Sequence, residues 1–484
     1  MKRRGDAGAG GGGAAAAALL RLLRFLLRPW AQVLLLYLLT FGLALPLLCH
    51  DLRHSRYFRR AAHLGRLTAA ALEESRARGE EAARYFREAE GEDEVEGPPL
   101  RPDPRSPPPQ LVVAIVTTAR GQGGEYRYYL QVAAAFHRLL RQCPWCRGHR
   151  LFACNVHRRP RQHLEALAAA RLVPTAHRFE EEGEGEGEGE DNLFEKEKRD
   201  YLYCLRKALT AYGPRHVLLV EDDALPREDF FPVLRDLLER RLRGREGEPL
   251  YVKLYHPERL QGYLHPEPAR LLEWLGLGAL GGWLLSAARR LATGRWPPWP
   301  AALLLGLWAM LAGELGGRHY LLQLRRLSPQ LYALSPASSC CTPATLFPAP
   351  SARRVLAYLG AVHCRPGYAK DTALYGLLGA QGEWALVLEP NLVTHIGLYS
   401  TLRGFVGSPA SEPRSPLSPP FPPLSPSSSP LPPPLPFPPL SPSPPPLPGG
   451  DIPEKHGKLT EFDPAHRGHR PGHSRASVEP GGGS

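Results

Sequence analysis

One uninterrupted apolar run near the N-terminus constrains this chain most. Residues 30–48 read WAQVLLLYLLTFGLALPLL and contain no charged side chain. A helix of that length spans roughly 28 Å, close to the thickness of about 30 Å of a bilayer hydrocarbon core. Arg21, Arg24 and Arg28 precede it and place the N-terminus in the cytosol. A cleaved signal peptide is the alternative, but the run is long for one and no small-x-small site follows. We predict a cytosolic segment over 1–29 and an uncleaved anchor over 30–48.

Two further apolar segments lie in the middle of the chain, over 271–288 and 299–315. Two buried helices of a soluble domain would have the same composition. The three arginines in the short link favour instead a membrane hairpin over 271–315 that dips back to the cytosol. Residues on either side of the hairpin then lie in the lumen. The remaining predicted boundaries are a stem over 49–109, a folded domain in two parts over 110–270 and 316–406, and a disordered tail over 407–484.

Cysteine usage agrees with a luminal domain. Eight cysteines in 484 residues are too few for a small fold built on disulfides. All except Cys49 fall in the parts predicted to be luminal, where disulfides persist. Connectivity cannot be deduced from the sequence. The pairings left open are Cys143 with Cys146, Cys154 with Cys204, and Cys364 with Cys340 or Cys341.

The luminal part alternates strand and helix patterns. Residues 111–118, 150–156 and 216–220 are short apolar runs rich in branched side chains, as expected of strands covered on both faces. Helical spacing separates them, so we predict an α/β domain with a mainly parallel sheet flanked by helices. The tail is excluded from the fold, because 20 of the 40 residues over 409–448 are proline.

The most informative polar motif is Glu221-Asp222-Asp223, directly after the strand predicted over 216–220. Ligands of open parallel sheets bind beyond the carboxyl ends of the strands. Three adjacent carboxylates repel one another unless a cation intervenes, and Mg²⁺ or Mn²⁺ holding a diphosphate is the simplest such cation. The alternative is that Asp223 caps the next helix. We favour the metal site because of the strand that precedes it.

Two later residues could complete such a site. Asp371 lies at the start of a predicted helix, where a carboxylate is stabilised. It would either cap that helix or act as a general base that deprotonates an acceptor hydroxyl. His395 is predicted in a loop after a strand; a single histidine there is usually structural, and metal ligation is the alternative.

Seven long segments carry a family resemblance. They are FEKEKRDYLYCL (194–205), VEDDALP (220–226), YVKLYHPERLQ (251–261), RHYLLQLRRLSPQLY (318–332), SSCCTPATLFPAP (338–350), GYAKDTALY (367–375) and NLVTHIGL (391–398). Taken in order, they resemble one family of GT-A glycosyltransferases, the post-GPI-attachment-to-proteins N-acetylgalactosamine transferases (transmembrane protein 246). The resemblance covers residues 28–404 and includes the anchor and the hairpin. It implies a GT-A-like mixed, mainly parallel sheet interrupted by the transmembrane hairpin.

The resemblance implies a Mn²⁺-dependent enzyme of the Golgi membrane with three spans and a luminal catalytic domain. It would transfer N-acetylgalactosamine from UDP-GalNAc to the first mannose of GPI-anchored proteins, as a β1,4 branch. Because the donor is α-linked and the product β-linked, one in-line displacement with inversion suffices. The alternatives are another acceptor or UDP-sugar, or a catalytically silent scaffold. No nucleic-acid partner is expected despite the net charge of +12, because the arginines cluster at the membrane junctions.

The resemblance also implies roles for individual residues. Asp223 and His395 would bind the metal, and Asp222 would contact the donor ribose. Asp371 would be the catalytic base, with Glu258 as the second choice. Further contacts to the nucleotide sugar would come from Thr117, Thr118, Arg120, His157, Asp200, Glu221 and Thr342.

Overall fold

A computed structural model describes residues 29–91, 107–181, 192–243, 247–257, 268–400 and 404–405. Glu258, nearly all of the predicted cytosolic segment and the proline-rich tail lie outside the described residues.

The domain is built on a mixed eight-stranded sheet. The described strands are β1 (Leu111–Thr117), β2 (His149–Asn155), β3 (Thr175–His177), β4 (His216–Glu221), β5 (Ala224–Pro226), β6 (Val252–Lys253), β7 (Ala333–Pro336), β8 (Ala344–Pro348), β9 (Leu386–Glu389), β10 (Val393–His395), β11 (Tyr399–Ser400) and β12 (Gly404–Phe405). The sheet order is β3-β2-β1-β4-β8-β6-β9-β7. Strands β3, β2, β1 and β4 are parallel, as are β6 and β9, whereas β8 and β7 pair antiparallel with their neighbours. The predicted mainly parallel α/β fold is confirmed.

Helices cover both faces of the sheet. The described α-helices are α1 (Pro29–Leu39), α2 (Leu45–Leu48), α3 (Arg60–Gly91), α4 (Tyr128–Gln142), α5 (Leu164–Ala169), α6 (Arg178–Glu181), α7 (Leu193–Tyr212), α8 (Phe230–Asp236), α9 (Pro268–Thr293), α10 (Trp299–Leu322), α11 (Ala349–Gly360) and α12 (Lys370–Gln381). Alternate residues of β1 enter opposite cores: Val113 packs with α4 and α8, and Val112 packs with α7 and α11. Burial on both faces explains why this strand has no polar alternation.

The long helix α3 belongs to the folded domain, although it falls within the predicted stem. Phe86 is buried in the same core as α4, and the Tyr85 hydroxyl lies 2.6 Å from His137 Nδ1. A side chain at Gly79 would meet the Tyr126 carbonyl oxygen at 2.3 Å, so glycine permits this close approach. This part of the predicted stem therefore contributes to the domain core.

In the described part of the chain, three segments are long and apolar enough to cross a membrane: Trp30–Leu48, Leu271–Thr293 and Trp299–Leu327. A π-helical turn, Thr40–Ala44, joins α1 to α2 in the first of them. This helix packs on the hairpin, because the Tyr37 hydroxyl donates to the Leu304 carbonyl at 2.7 Å and Trp308 Nε1 donates to Thr40 Oγ1 at 3.1 Å. The hairpin leaves the domain after β6 and returns before β7, so strands on both sides of it belong to one sheet.

Three disulfides are described, and two follow pairings that the sequence left open. They are Cys143–Cys146, Cys154–Cys204 and Cys340–Cys341. The pairing of Cys364 with Cys340 or Cys341 is wrong, because those two neighbours bond to each other and Cys364 keeps a buried thiol. Cys364 lies instead against α7, where its backbone N–H donates to Glu195 Oε2.

Candidate active site

A cleft of about 600 Å³ opens where β1 and β4 end and β8 begins. The carboxyl ends of the parallel strands β1 and β4 share an edge of the sheet, and the antiparallel β8 starts at that edge. Ten of the residues predicted to form the site line this cleft: Thr117, Thr118, Arg120, Asp200, Glu221, Asp222, Asp223, Thr342, Asp371 and His395. Among the described residues, His157 is not part of its wall; it contacts Thr118, whose hydroxyl is 3.3 Å from His157 Nδ1.

Asp222 is held by a chain of hydrogen bonds within the protein. The Thr117 hydroxyl donates to Asp222 Oδ2 at 3.0 Å and lies 2.8 Å from His163 Nε2. Because that hydroxyl has one hydrogen, His163 Nε2–H donates to it. Burial lowers the pKa of His163 to about 4, which keeps the ring neutral. Arg120 donates to the other oxygen, Oδ1, so both oxygens of Asp222 contact protein groups.

Arg120 is a buried cation of this site. It pairs with Asp222 and, at 2.9 Å, with Asp223 Oδ2. Its guanidinium also lies over the Tyr128 ring and donates to the Tyr399 carbonyl. The prediction placed Arg120 beside a nucleotide; the structure shows that it balances two of the three adjacent carboxylates.

Two carboxylates and a histidine in the cleft have the composition of a metal site. Ligand atoms of Glu221, Asp223 and His395 all lie within 4.8 Å of one another. Asp223 Oδ1 is buried, has no hydrogen-bond partner among the described residues, and lies 3.5 Å from His395 Nε2. Two carboxylates and an imidazole suit a divalent ion such as Mn²⁺. The residues present therefore fit a bound cation.

Pairing between two short strands brings His395 to this group. In the antiparallel pair β10–β5, His395 is opposite Ala224, and the Ile396 N–H donates to the Asp223 carbonyl at 2.9 Å. His395 therefore lies on a strand, where the sequence predicted a loop. The alternative role of Asp223 as a helix cap is wrong, because β5 follows it and the next helix begins at Phe230.

Sequence reasoning missed Gly397, which also lines the cleft. A Cβ atom at this position would lie 2.0 Å from Asp223 Oδ2 and 2.7 Å from its Cγ. The short aspartate side chain has little freedom to move away. Gly397 therefore leaves the space that the Asp223 carboxylate occupies.

No role was predicted for Lys370, although it lies in the segment GYAKDTALY (367–375). Its buried ammonium donates to Glu221 Oε1 at 3.0 Å and also pairs with Glu197. On the same oxygen of Glu221, the Thr342 hydroxyl lies at 3.5 Å. Lys370 thus balances Glu221 as Arg120 balances the other two acids.

Asp371 and Asp200 differ in how their charges are satisfied. Asp371 lies in the first turn of α12, and its two oxygens accept backbone N–H groups of Thr372 at 2.8 Å and Cys341 at 3.0 Å. Asp200 pairs with Arg178 at 2.5 Å and Lys196 at 2.6 Å. Two cations thus neutralise Asp200, whereas Asp371 is contacted by neutral donors and faces the cleft.

Glu165 on α5, whose carboxyl group interacts with Asp222, should make the stability of the domain depend on pH. Burial and the nearby charge of Asp222 raise the pKa of Glu165 from 4.5 to about 7. The unfolded chain releases this proton at lower pH than the folded one, so stability is lost as pH rises from about 4.5 to 7. We expect Glu165→Gln to raise the free energy of unfolding by roughly 1–3 kcal/mol at pH 8 and to change it little at pH 4. Thermal unfolding at both pH values checks this.

The control for this prediction is Glu80→Gln, which removes an exposed carboxylate of α3. It should shift the unfolding temperature equally at both pH values. A Glu165→Gln gain of the same size at pH 4 and pH 8 would contradict the assignment.

The fold and the site together define an α/β domain with a ligand cleft at its strand ends, where an acid triplet and a histidine meet. The particular family follows from a comparison with known proteins. A family model described as GPI-N-acetylgalactosamine transferase PGAP4 matches residues 111–394, more than half of the chain. The chain belongs to this family. The match runs from β1 into β10 and includes the hairpin, the acid triplet and Asp371; His395, Gly397 and Tyr399 of the cleft wall lie just beyond it.

Proposed function

We propose that this protein transfers N-acetylgalactosamine from UDP-GalNAc to the first mannose of GPI anchors, as a β1,4 branch, in the Golgi lumen. The observation that carries the proposal is the buried Asp223 Oδ1, which accepts no hydrogen bond from the described residues and lies beside Glu221 and His395 in the cleft. A buried carboxylate oxygen without a donor is costly unless a cation reaches it. The family supports a nucleotide-sugar donor and a GPI acceptor.

Glu221, Asp223 and His395 would hold Mn²⁺. A divalent cation there supplies the charge that stabilises a leaving diphosphate. Arg120 and Lys370 keep the surrounding carboxylates in place through their ion pairs. We assign Asp222 a positioning role, because both of its oxygens already contact Thr117 and Arg120.

Asp371 is the proposed base. It lines the cleft, and its oxygens keep lone pairs beyond the two that accept backbone N–H groups. In an inverting transfer Asp371 takes the proton of the mannose hydroxyl while that oxygen attacks the anomeric carbon from the face opposite the diphosphate. No covalent enzyme intermediate is needed.

Asp371→Asn should separate chemistry from binding. An amide has nearly the same shape but cannot accept the proton, so we expect kcat for transfer to fall about 10²–10⁴-fold. The affinity for UDP with Mn²⁺ should change less than about threefold, as measured by calorimetry. Glu80→Gln serves as the charge control and should leave both values unchanged. A full kcat in Asp371→Asn would exclude Asp371 as the base.

The membrane helices support a lipid-linked acceptor. The hairpin is inserted between two strands of the catalytic sheet, and the N-terminal helix packs on it. If these helices span the Golgi membrane with the N-terminus in the cytosol, the cleft is tethered to the leaflet that holds the GPI anchor. Tethering raises the effective concentration of such an acceptor.

The deciding experiment uses the full-length protein in detergent with Mn²⁺ and a panel of UDP-sugars. GPI-anchored and N-glycan acceptors are compared under the same conditions. We expect transfer from UDP-GalNAc to the GPI acceptor alone. Transfer to the N-glycan would move the assignment to another acceptor, and no transfer to either would favour a scaffold that has kept the fold.

Gly397→Ala tests the geometry of the metal site. The added methyl group must displace the Asp223 carboxylate, so we expect Mn²⁺ affinity to fall about 10–100-fold while the unfolding temperature changes little. Calorimetric titration with Mn²⁺ alone measures it. The control is Gly379→Ala on α12, where a Cβ has no heavy atom within 4 Å. Equal Mn²⁺ affinity in both variants would contradict the proposed ligand set.

A further inference from the structure

The loop over 338–343 connects the two halves of the proposed active site. It joins β7 to β8, and Cys341, Thr342 and Pro343 line the cleft. On one side, the Cys341 N–H donates to Asp371 Oδ2 at 3.0 Å. On the other, the Pro343 carbonyl accepts from the Glu221 N–H at 2.7 Å. The loop therefore contacts both the proposed base and the acid triplet.

A disulfide and a buried lysine fix the loop. Cys340 and Cys341 bond to each other across a single peptide, and Cys341 adopts a left-handed backbone conformation (φ 71°) that is uncommon for any residue except glycine. Beneath them, Lys253 Nζ donates to the carbonyls of Ser338 and Cys340, both at 2.7 Å. These two constraints come from different parts of the chain.

Burying the Lys253 side chain at this position costs desolvation free energy. Lys253 ends β6, is only 1 % exposed, and burial lowers the pKa of its ammonium to about 8. Burying an ammonium carries a desolvation penalty, and an apolar side chain of similar volume often serves a core as well. What the lysine adds is two directed hydrogen bonds to neighbouring carbonyls of one loop. Both hydrogen bonds hold that loop, and the Lys253 ammonium also interacts electrostatically with Asp371.

We propose that the Cys340–Cys341 disulfide and Lys253 are positioning residues for the base Asp371. They hold the Cys341 N–H against Oδ2 of that carboxylate, so that the carboxylate faces the acceptor hydroxyl. This inference rests on the proposed function, because Asp371 must first be the base. A displacement of about 1 Å in a catalytic group can cost on the order of 100-fold in rate.

The experiment compares Cys340→Ser/Cys341→Ser and Lys253→Met with the wild type, all as full-length protein in detergent. The control is Cys143→Ser/Cys146→Ser, which removes a disulfide that does not line the cleft. In each test variant we expect kcat for transfer to fall about 10–100-fold, while KM for UDP-GalNAc and the affinity for UDP with Mn²⁺ change less than about threefold. The control should keep the wild-type kcat.

A second measurement separates positioning from general damage. The same changes are introduced into Asp371→Asn, and residual transfer is followed with radiolabelled UDP-GalNAc. If the loop acts through Asp371, they should lower the residual rate less than about threefold, because the effects are not additive. The inference would be overturned if the changes lowered the rate of Asp371→Asn by the same factor as that of the wild type. An unchanged kcat in both test variants would overturn it as well. If one variant fails to fold, the other still decides it. A wild type without transfer activity refutes the proposed function itself, and the inference with it.

Discussion

Asp223→Ala should lower transfer from UDP-GalNAc by at least about 10³-fold and abolish specific Mn²⁺ binding. The substitution removes the buried oxygen Oδ1, which has no hydrogen-bond donor among the described residues and lies beside Glu221 and His395. The charge on a leaving diphosphate would then lack its bound cation, and such a cation stabilises a transition state by several kcal/mol. Steady-state kinetics and Mn²⁺ calorimetry on the detergent-solubilised protein measure both effects.

Glu228→Gln is the matched control for this prediction. It also removes one negative charge, on an exposed side chain five positions along the chain and outside the cleft wall. We expect it to keep full activity and Mn²⁺ affinity. If Asp223→Ala keeps its ability to modify GPI anchors in cells, the metal-dependent transferase is excluded and the scaffold is favoured.

Arg120→Met should destabilise the domain by about 3–5 kcal/mol. Arg120 and its partners Asp222 and Asp223 are each less than a tenth exposed at the side chain. Methionine removes the cation and leaves two neighbouring carboxylates buried, uncompensated and repelling each other, a situation that costs several kcal/mol. For a domain of this size we expect the unfolding temperature to fall by about 10 °C, measured by differential scanning calorimetry without metal.

The control is Arg235→Met on α8, whose partner Glu239 lies at 3.0 Å and is about half exposed, as is Arg235 itself. A surface pair of this kind contributes less than about 1 kcal/mol, because solvent already screens it. An equal fall in unfolding temperature for Arg120→Met and Arg235→Met would show that Arg120 does not stabilise the acid triplet.

Much of the fold could be predicted because its signals are local. The run over 111–118 has no polar alternation, since both faces of β1 are covered, and the same pattern identifies β4. The acid triplet was found because it directly follows an apolar strand, and ligands gather at that end of a parallel sheet. The family was recognised from longer segments, among them the one that contains the acid triplet (220–226), and is confirmed.

The partners within the site could not be predicted in the same way. The ion pairs of Arg120 were not predicted, because nothing in its neighbourhood along the chain shows that it meets carboxylates about one hundred residues away. His395 reaches Asp223 only through the pairing of two three-residue strands, which are too short to leave a pattern. Gly397 was missed because a glycine in a loop gives no sign of which side chain needs its space.

The amino-acid sequence alone determined the apolar segments, the alternation of strands with helices, and the placing of three acids after a buried strand. Hydrophobicity and periodicity are properties of neighbouring residues, so they can be recognised without a fold. Only the tertiary structure decided which cation balances which acid, that Cys340 bonds to Cys341, and that Asp223 Oδ1 accepts no hydrogen bond from the described residues. Those contacts join residues from distant parts of the chain, or depend on the path of one loop, and packing alone selects among the available partners.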